Sequence, residues 1–274
     1  MKIRLSCYPG GKKRAVTFSY DDGNIEDIRL IETLNKYNLK ATFHLNSSKY
    51  DKKDPHAVPA EMLTDLYAGH EISSHTYTHP DMRALNKNDL REEVIKDRLT
   101  LEKIFGCVVR GMSYPFGTYN KEILGVLKSF GIEYSRTTKA TKKFEIPENF
   151  LEWHPTCHHN EAYELIDKFD IVNLDWFVRP VFYIWGHSYE FERQNNWDYL
   201  EKLCQKISGK DDVWYAANIE IKDYTDAVNS LKISADNTMV YNPTATDVFI
   251  ELIEDGRKNG DIVKIPAGKQ VNFK

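Results

Sequence analysis

The feature that most constrains this chain is a repeated alternation. Short β-branched or aromatic runs end in turns, and stretches with helical apolar spacing follow them. Ala15–Tyr20 is such a run, stopped by the turn signal Asp21-Asp22-Gly23. Asn24 can cap a following helix whose Ile28, Ile31, Leu34 and Tyr37 recur at helical spacing. Further strands are expected at Ala41–Leu45, Glu71–Ser74, Cys107–Met112, Ile132–Ser135, Leu151–His154, Val181–Trp185 and Val213–Ala217. Helices are expected at Pro59–Tyr67, Asn88–Phe105 (ended by Gly106), Asn120–Phe130, Glu161–Phe169, Trp197–Ile207 and Ile219–Val228. Such alternation implies a mostly parallel sheet with helical crossovers, closed as a barrel or doubly wound.

After Ser230 the texture changes. Leu231–Ser234, Met239–Tyr241, Val248–Leu252, Ile262–Ile265 and Gln270–Phe273 read as short strands between Asp-Asn, Asn-Pro and Gly turns. The expected organisation is a barrel over 1–229 and a small β appendage over 230–274, too short for a core of its own. The 274 residues suit this, since an α/β barrel commonly takes about 250.

Composition excludes several classes. A formal net charge of −4 gives no electrostatic case for nucleic acid or an anionic membrane surface. No run approaches the ~18 apolar residues of a membrane helix, and the N-terminus has no apolar leader core. A cytoplasmic location is the expectation, with an extracytoplasmic one open if a leader has been removed. The four cysteines, Cys7, Cys107, Cys157 and Cys204, are widely spaced without a CxxC pair, so free or buried thiols are expected.

Four segments carry candidate chemistry, each at the end of an expected strand. Ser19-Tyr-Asp21-Asp22-Gly23 offers two carboxylates that a turn can bring to one site, one for a metal and one for a proton; a solvated, capping turn reads the same way. His75-Thr-Tyr-Thr-His79 offers two imidazoles that a brief turn before Pro80 could converge. With Asp22 they make two nitrogens and a carboxylate oxygen, leaving a position open on a catalytic zinc. Arg110-Gly-Met-Ser-Tyr114-Pro-Phe-Gly117 brings a tight loop and a guanidinium able to grip a carboxylate through two hydrogen bonds. Trp185-Gly-His187-Ser188 places one more histidine, structural or acidic. Together they equip a metal-assisted hydrolysis with separate base and acid.

These four segments, in this order, resemble the polysaccharide deacetylases (the NodB-homology family, carbohydrate esterase family 4) over roughly Ala15 to Ala217. The resemblance implies an α/β fold, a distorted (β/α) barrel of about seven strands. It also implies a divalent metal, most often Zn2+, and a carbohydrate partner carrying N-acetyl groups. On it, Asp21 is the base, Asp22, His75 and His79 are the metal ligands, and Arg110 orients the base. Tyr114 lends a backbone N–H to the oxyanion and His187 is the acid. Tyr134-Ser-Arg-Thr-Thr138 resembles a short stretch that follows the third segment in the family.

One departure stands out. The family places an Asp and a Trp on the strand before the last segment, where this chain reads Glu152-Trp-His-Pro-Thr-Cys-His-His159. Asp175-Trp176 has the right letters in what reads as a loop. The partner of His187 is therefore open. His154, His158, Trp185 and Asp175 are candidates for the substrate side, with ordinary satisfied histidines as the alternative for the first two. His70 is expected to have no chemical role. The rival readings are an O-acetyl carbohydrate esterase, a catalytically weak carbohydrate-binding protein on the same scaffold, and a non-haem Fe(II) oxygenase built on the two-histidine, one-carboxylate set.

Overall fold

The computed structural model describes residues 1–175, 178–253 and 260–273. Among the described residues there are fourteen strands, numbered in chain order. After β1 (Lys2–Arg4) come β2 (Arg14–Asp21), β3 (Ala41–Leu45), β4 (Glu71–Ser74), β5 (Gly111–Ser113), β6 (Tyr134–Arg136), β7 (Cys157–His158), β8 (Val181–His187) and β9 (Val213–Tyr215). These eight strands, β2 to β9, form one parallel sheet in the order β6-β5-β4-β3-β2-β8-β7, with β9 also on β2. The sheet curls until its two edges nearly meet. Trp153 bridges to Arg136 of β6, and the same segment continues into β7 against β8. One irregular stretch therefore spans the gap, which makes the barrel distorted.

Alternation along β2 separates its two faces. Val16, Phe18 and Tyr20 pack outward with Leu30, Leu34 and Phe43 in the main core. Each fully buried Leu or Phe there contributes roughly 1.5–3 kcal/mol. Thr17, Ser19 and Asp21 form a polar file on the other face. Thr17 donates to Asn218, Ser19 pairs with His44, and Asp21 meets Arg136.

The sequence expectation for 230–274 holds as a set of strands: β10 (Lys232–Ile233), β11 (Met239–Tyr241), β12 (Val248–Ile253), β13 (Asp261–Ile265) and β14 (Gln270–Asn272). They form two antiparallel three-stranded sheets, β10-β11-β14 and β1-β12-β13. The second recruits β1 from the chain's start, so residues 2–4 belong with the appendage and not with the barrel. Val240, Val248, Ile250 and Ile265 share one core with Ala15, Val181 and Ile221, near the N-terminal ends of the barrel strands. The appendage therefore packs at the end opposite the strand termini that carry the four segments.

The helix Lys87–Phe105 is capped by Asn86, whose side chain accepts from the Asn88 and Asp89 N–H groups, and ends at Gly106 with φ 65°. All four cysteines are free, three of them buried and Cys107 exposed. Among the described residues no helix is long and apolar enough to cross a membrane.

Candidate active site

Strand register assembles the site. Asp21 lies opposite both His44 and His187, Leu45 opposite Ser74, and Ser113 opposite Arg136. The C-terminal ends of β2, β4, β5, β6 and β8 thus deliver Asp21, His75, Ser113, Arg136 and His187 to one rim. Four non-glycine residues there take left-handed backbone: Asp22 (φ 84°), Thr76 (63°), His79 (61°) and Phe116 (58°). Such conformations cost free energy and tend to gather at functional sites. At Asp22 the turn is what brings the second carboxylate to the same rim as the first.

Asp22, His75 and His79 each offer a ligand atom, and these atoms lie within 4.8 Å of one another. Asp22 Oδ1 is 3.9 Å from His75 Nε2 and 4.0 Å from His79 Nε2. The segment is a bend with left-handed residues rather than a helical turn. Asn46 donates to the His75 and Thr76 carbonyls, and Glu93 accepts from the Thr78 N–H and hydroxyl. His75 Nδ1 faces the Ser113 carbonyl at 2.9 Å, which assigns the proton to Nδ1 and leaves the Nε2 lone pair for a cation. Burial pushes His75 down to about 4, so its imidazole is neutral. The donor set, two imidazoles and one carboxylate, therefore fits a divalent ion.

Asp21 is buried. Burial would raise its pKa, but Arg136 and then His75, His44 and His187 hold it well below the usual carboxylate range. Ser113 donates its hydroxyl to Oδ1, and Arg136 pairs with Oδ2. Arg136 is itself fully buried, with its guanidinium 4.4 Å above the Trp185 ring.

This arrangement corrects one expectation. Arg110 does not reach Asp21; it is held by Glu133 and Asp223. The strand expected to end at Met112 begins at Gly111, so Arg110 stands at its start and Ser113 at its end. Val108, placed inside that expected strand, is 70% exposed. Arg136, in the Tyr134–Thr138 segment, is the arginine that pairs with Asp21.

A second correction concerns Tyr114. Its backbone N–H donates to the Arg136 carbonyl at 3.0 Å, continuing the β5–β6 ladder, so that donor is spent. The neighbouring Phe116 is the residue that faces the metal set, its exposed ring 4.6 Å from His79.

His187 Nε2 stands 4.0 Å from Asp21 Oδ2, and its Nδ1 stands 3.5 Å from Glu190 Oε1. Its backbone N–H donates to Glu190 Oε2 at 3.2 Å. Burial opposes its charge, but Glu190 and Asp21 outweigh that and raise its pKa. Glu190 is thus the carboxylate nearest His187 Nδ1, at 3.5 Å without an aligned hydrogen bond. It sits three residues beyond the histidine, on the helix Tyr189–Arg193, where a lone glutamate carries no distinguishing sequence signal.

The substrate-side candidates divide. Trp185 lies between Arg136 and His158, 5.1 Å from the latter ring. His158 Nε2 bonds Glu190 at 2.9 Å. His154 bonds Thr137 and lines a surface cavity with Thr141, Glu145 and Glu152. Asp175 is not at the site. It is largely exposed, pairs with Arg4 of β1 and lies beside Glu251 on the appendage side, because the residues before β8 sit at the strand's N-terminal end. Its neighbour Trp176 lies outside the described residues. His70 lies away from these groups, accepting from the Ala41 N–H and meeting Asn35.

One positioning residue gave no sequence signal beyond a polar letter in a helix. Asp97 is buried and accepts from Ser47 N–H and hydroxyl, Ser74 hydroxyl and His75 N–H. It ties the ends of β3 and β4 together directly beneath the metal set.

The polysaccharide deacetylase family model matches residues 9–135. Peptidoglycan-N-acetylglucosamine deacetylase from Bacillus cereus is 28% identical over 107 residues, 38% of this chain and 37% of that protein. Chitin deacetylase from Colletotrichum lindemuthianum is 26% identical over 131 residues, 47% of this chain and 53% of that protein. The alignments thus span less than two thirds of either relative. A solved Mycobacterium smegmatis structure assigned to the polysaccharide deacetylases matches with a TM-score of 0.64 at 18% identity. It covers 84% of this chain and 96% of its own, and speaks for the fold.

Proposed function

We propose that this chain is a metal-dependent deacetylase of the polysaccharide deacetylase family, a reading supported by the family model that matches residues 9–135. Its substrate is the N-acetyl group of an acetamido sugar in a poly- or oligosaccharide. The observation that carries the reading is the convergence of Asp22, His75 and His79 beside a buried, ionised Asp21. A divalent ion held there, Zn2+ by its ligand set, would supply Lewis acidity toward a water and an acetyl carbonyl.

The chain's own groups do the rest. Asp21 stays ionised at neutral pH through Arg136 and accepts a proton from the attacking water. His187 carries its proton on Nε2, facing the site, and delivers it to the departing amine. Glu190 orients that imidazole from the Nδ1 side. Each transfer is worth about 10²–10⁴ in rate. Trp185 and the exposed Phe116 offer aromatic faces to the apolar faces of sugar rings.

The test is acetate release from N-acetylated chitin and peptidoglycan oligosaccharides and from acetylated xylan, after chelation and after Zn2+ return. Release restored by Zn2+ and lost in Asp21→Asn and His187→Ala is expected. An Asp21→Asn variant with full activity removes the base assignment. The catalytically weak reading has one observation in its favour, the spent Tyr114 N–H. Sugar binding without acetate from any of these substrates, with metal bound, would establish it. Acetate from xylan alone would establish the esterase.

A further inference from the structure

His158, His159 and Glu190 form a second cluster of ligand atoms, again within 4.8 Å of one another. A hydrogen bond between His158 and Glu190 accounts for two of the three residues. It does not account for His159. That residue is fully buried, and neither ring nitrogen has a hydrogen-bond partner among the described residues. Its Nε2 points at Glu190 Oε2 from 3.5 Å without hydrogen-bond alignment. A buried polar group left in this state is costly unless something occupies the gap.

The sequence makes deliberate room for the ring. A Cβ on Gly186 would stand 2.1 Å from His159 Nδ1, so only glycine fits at that point of β8. The ring is clamped by Phe191, with centroids 4.1 Å apart, and by Tyr20 at 5.9 Å. The His158 ring is braced by Trp185. Both imidazoles are thus held rigidly with their Nε2 atoms toward one carboxylate oxygen; the Asn160 N–H reaches His158 Nδ1 at 3.4 Å, so an ion on Nε2 moves that ring's proton to Nδ1 and displaces this contact.

We propose that His158, His159 and Glu190 form a second divalent-metal site, separate from Asp22, His75 and His79, and joined to His187 through Glu190. The spacing suits a small ion. Donors about 2.0 Å from a tetrahedral zinc are about 3.3 Å apart. Glu190 Oε2 is 2.9 Å from His158 Nε2 and 3.5 Å from His159 Nε2. Two imidazoles and a carboxylate favour Zn2+ or Co2+ over Mg2+ or Ca2+. Glu190's other oxygen faces His187 Nδ1, so an ion here and the expected acid share one carboxylate.

The test reads stoichiometry. The full chain is stripped with chelator, dialysed against excess Zn2+ and assayed by elemental analysis, with folding checked by circular dichroism. Two ions per chain are expected in the wild type. One is expected in the folded Asp22→Asn/His79→Gln variant, and one in His158→Gln, which spares the buried His159. Co2+ in the Asp22→Asn/His79→Gln variant should show visible d–d absorption that His158→Gln then removes. One ion in the wild type, with none in folded Asp22→Asn/His79→Gln, overturns the proposal. Because no activity is measured, this failure leaves the deacetylase reading intact, and loss of acetate release would leave the count of ions intact.

Discussion

Replacing Arg136 with methionine tests the correction that separates this site from the expected one. Arg136 and Asp21 have side-chain exposures of 0% and 3%, so the pair is screened by almost no water. Removing one partner of a buried pair strands the other charge, at about 3–5 kcal/mol. The pH dependence should also invert. In the wild type the folded pKa of Asp21 is depressed. Its stabilisation is therefore present above the unfolded value of about 3.9 and lost as pH falls through the folded pKa. Without Arg136, burial dominates and the folded pKa rises above the unfolded one. The contribution is then present below about 3.9 and lost as pH rises through the new folded pKa. The stability gap between wild type and Arg136→Met should widen from acid toward neutral pH. Urea unfolding of chelator-treated protein at several pH values measures this. A double-mutant cycle with Asp21→Asn isolates the pair. Arg110→Met is the contrast: its partially exposed pairs with Glu133 and Asp223 should be worth about 1 kcal/mol or less, with acetate release unchanged. A gap below about 1 kcal/mol for Arg136→Met, or one that does not vary with pH, refutes the reasoning.

Glu190→Gln should cost kcat roughly 10–100-fold, as loss of an orienting partner does. It should also move the alkaline limb of the pH–rate profile to lower pH, because His187 loses the group that raises its pKa. A limb that stays in place dismisses Glu190 as that partner. The same raised pKa makes His187 a source of stability below its unfolded value of about 6.5, lost as pH rises through the folded pKa; thermal unfolding of Glu190→Gln should show its deficit on the acid side. Asp97→Ala leaves several buried donors unpaired at about 1–3 kcal/mol each, and should weaken Zn2+ binding at the His75 site roughly 10–100-fold by calorimetry. Gly186→Ala should lose about 1–3 kcal/mol in chemical unfolding because its Cβ overlaps the His159 ring; wild-type stability would mean that ring is not fixed where it lies.

The fold was legible because its strands are buried on both faces and its helices on one. Ala41–Leu45 and Glu71–Ser74 match their expected bounds, and Asn88–Phe105 is one residue short at its start. Apolar runs and capping residues are local signals, and these elements obey them. The contribution of Lys2–Arg4 to the appendage was not legible. Its pairing with β12 joins residues some 250 positions apart, and no local pattern records a partner at that distance.

In the site, legibility followed the turn chemistry. Asp21, Asp22, His75, His79 and His187 sit where Gly23, Pro80 and Ser188 punctuate long or well-marked strands. β5 and β6 have only three residues each, too few for alternation to fix their bounds. In both, the observed strand lies toward the C-terminus of the expected one, and that displacement decides the chemistry. It takes Arg110 from the active rim to the opposite end, where two surface carboxylates hold it. It also brings Arg136 to the rim, where it is buried against Asp21. The family resemblance implied an arginine beside Asp21, and an arginine does pair with it. Which arginine meets it depended on where a three-residue strand begins, and only the register with β4 and the Tyr134–Arg136 ladder fixes that.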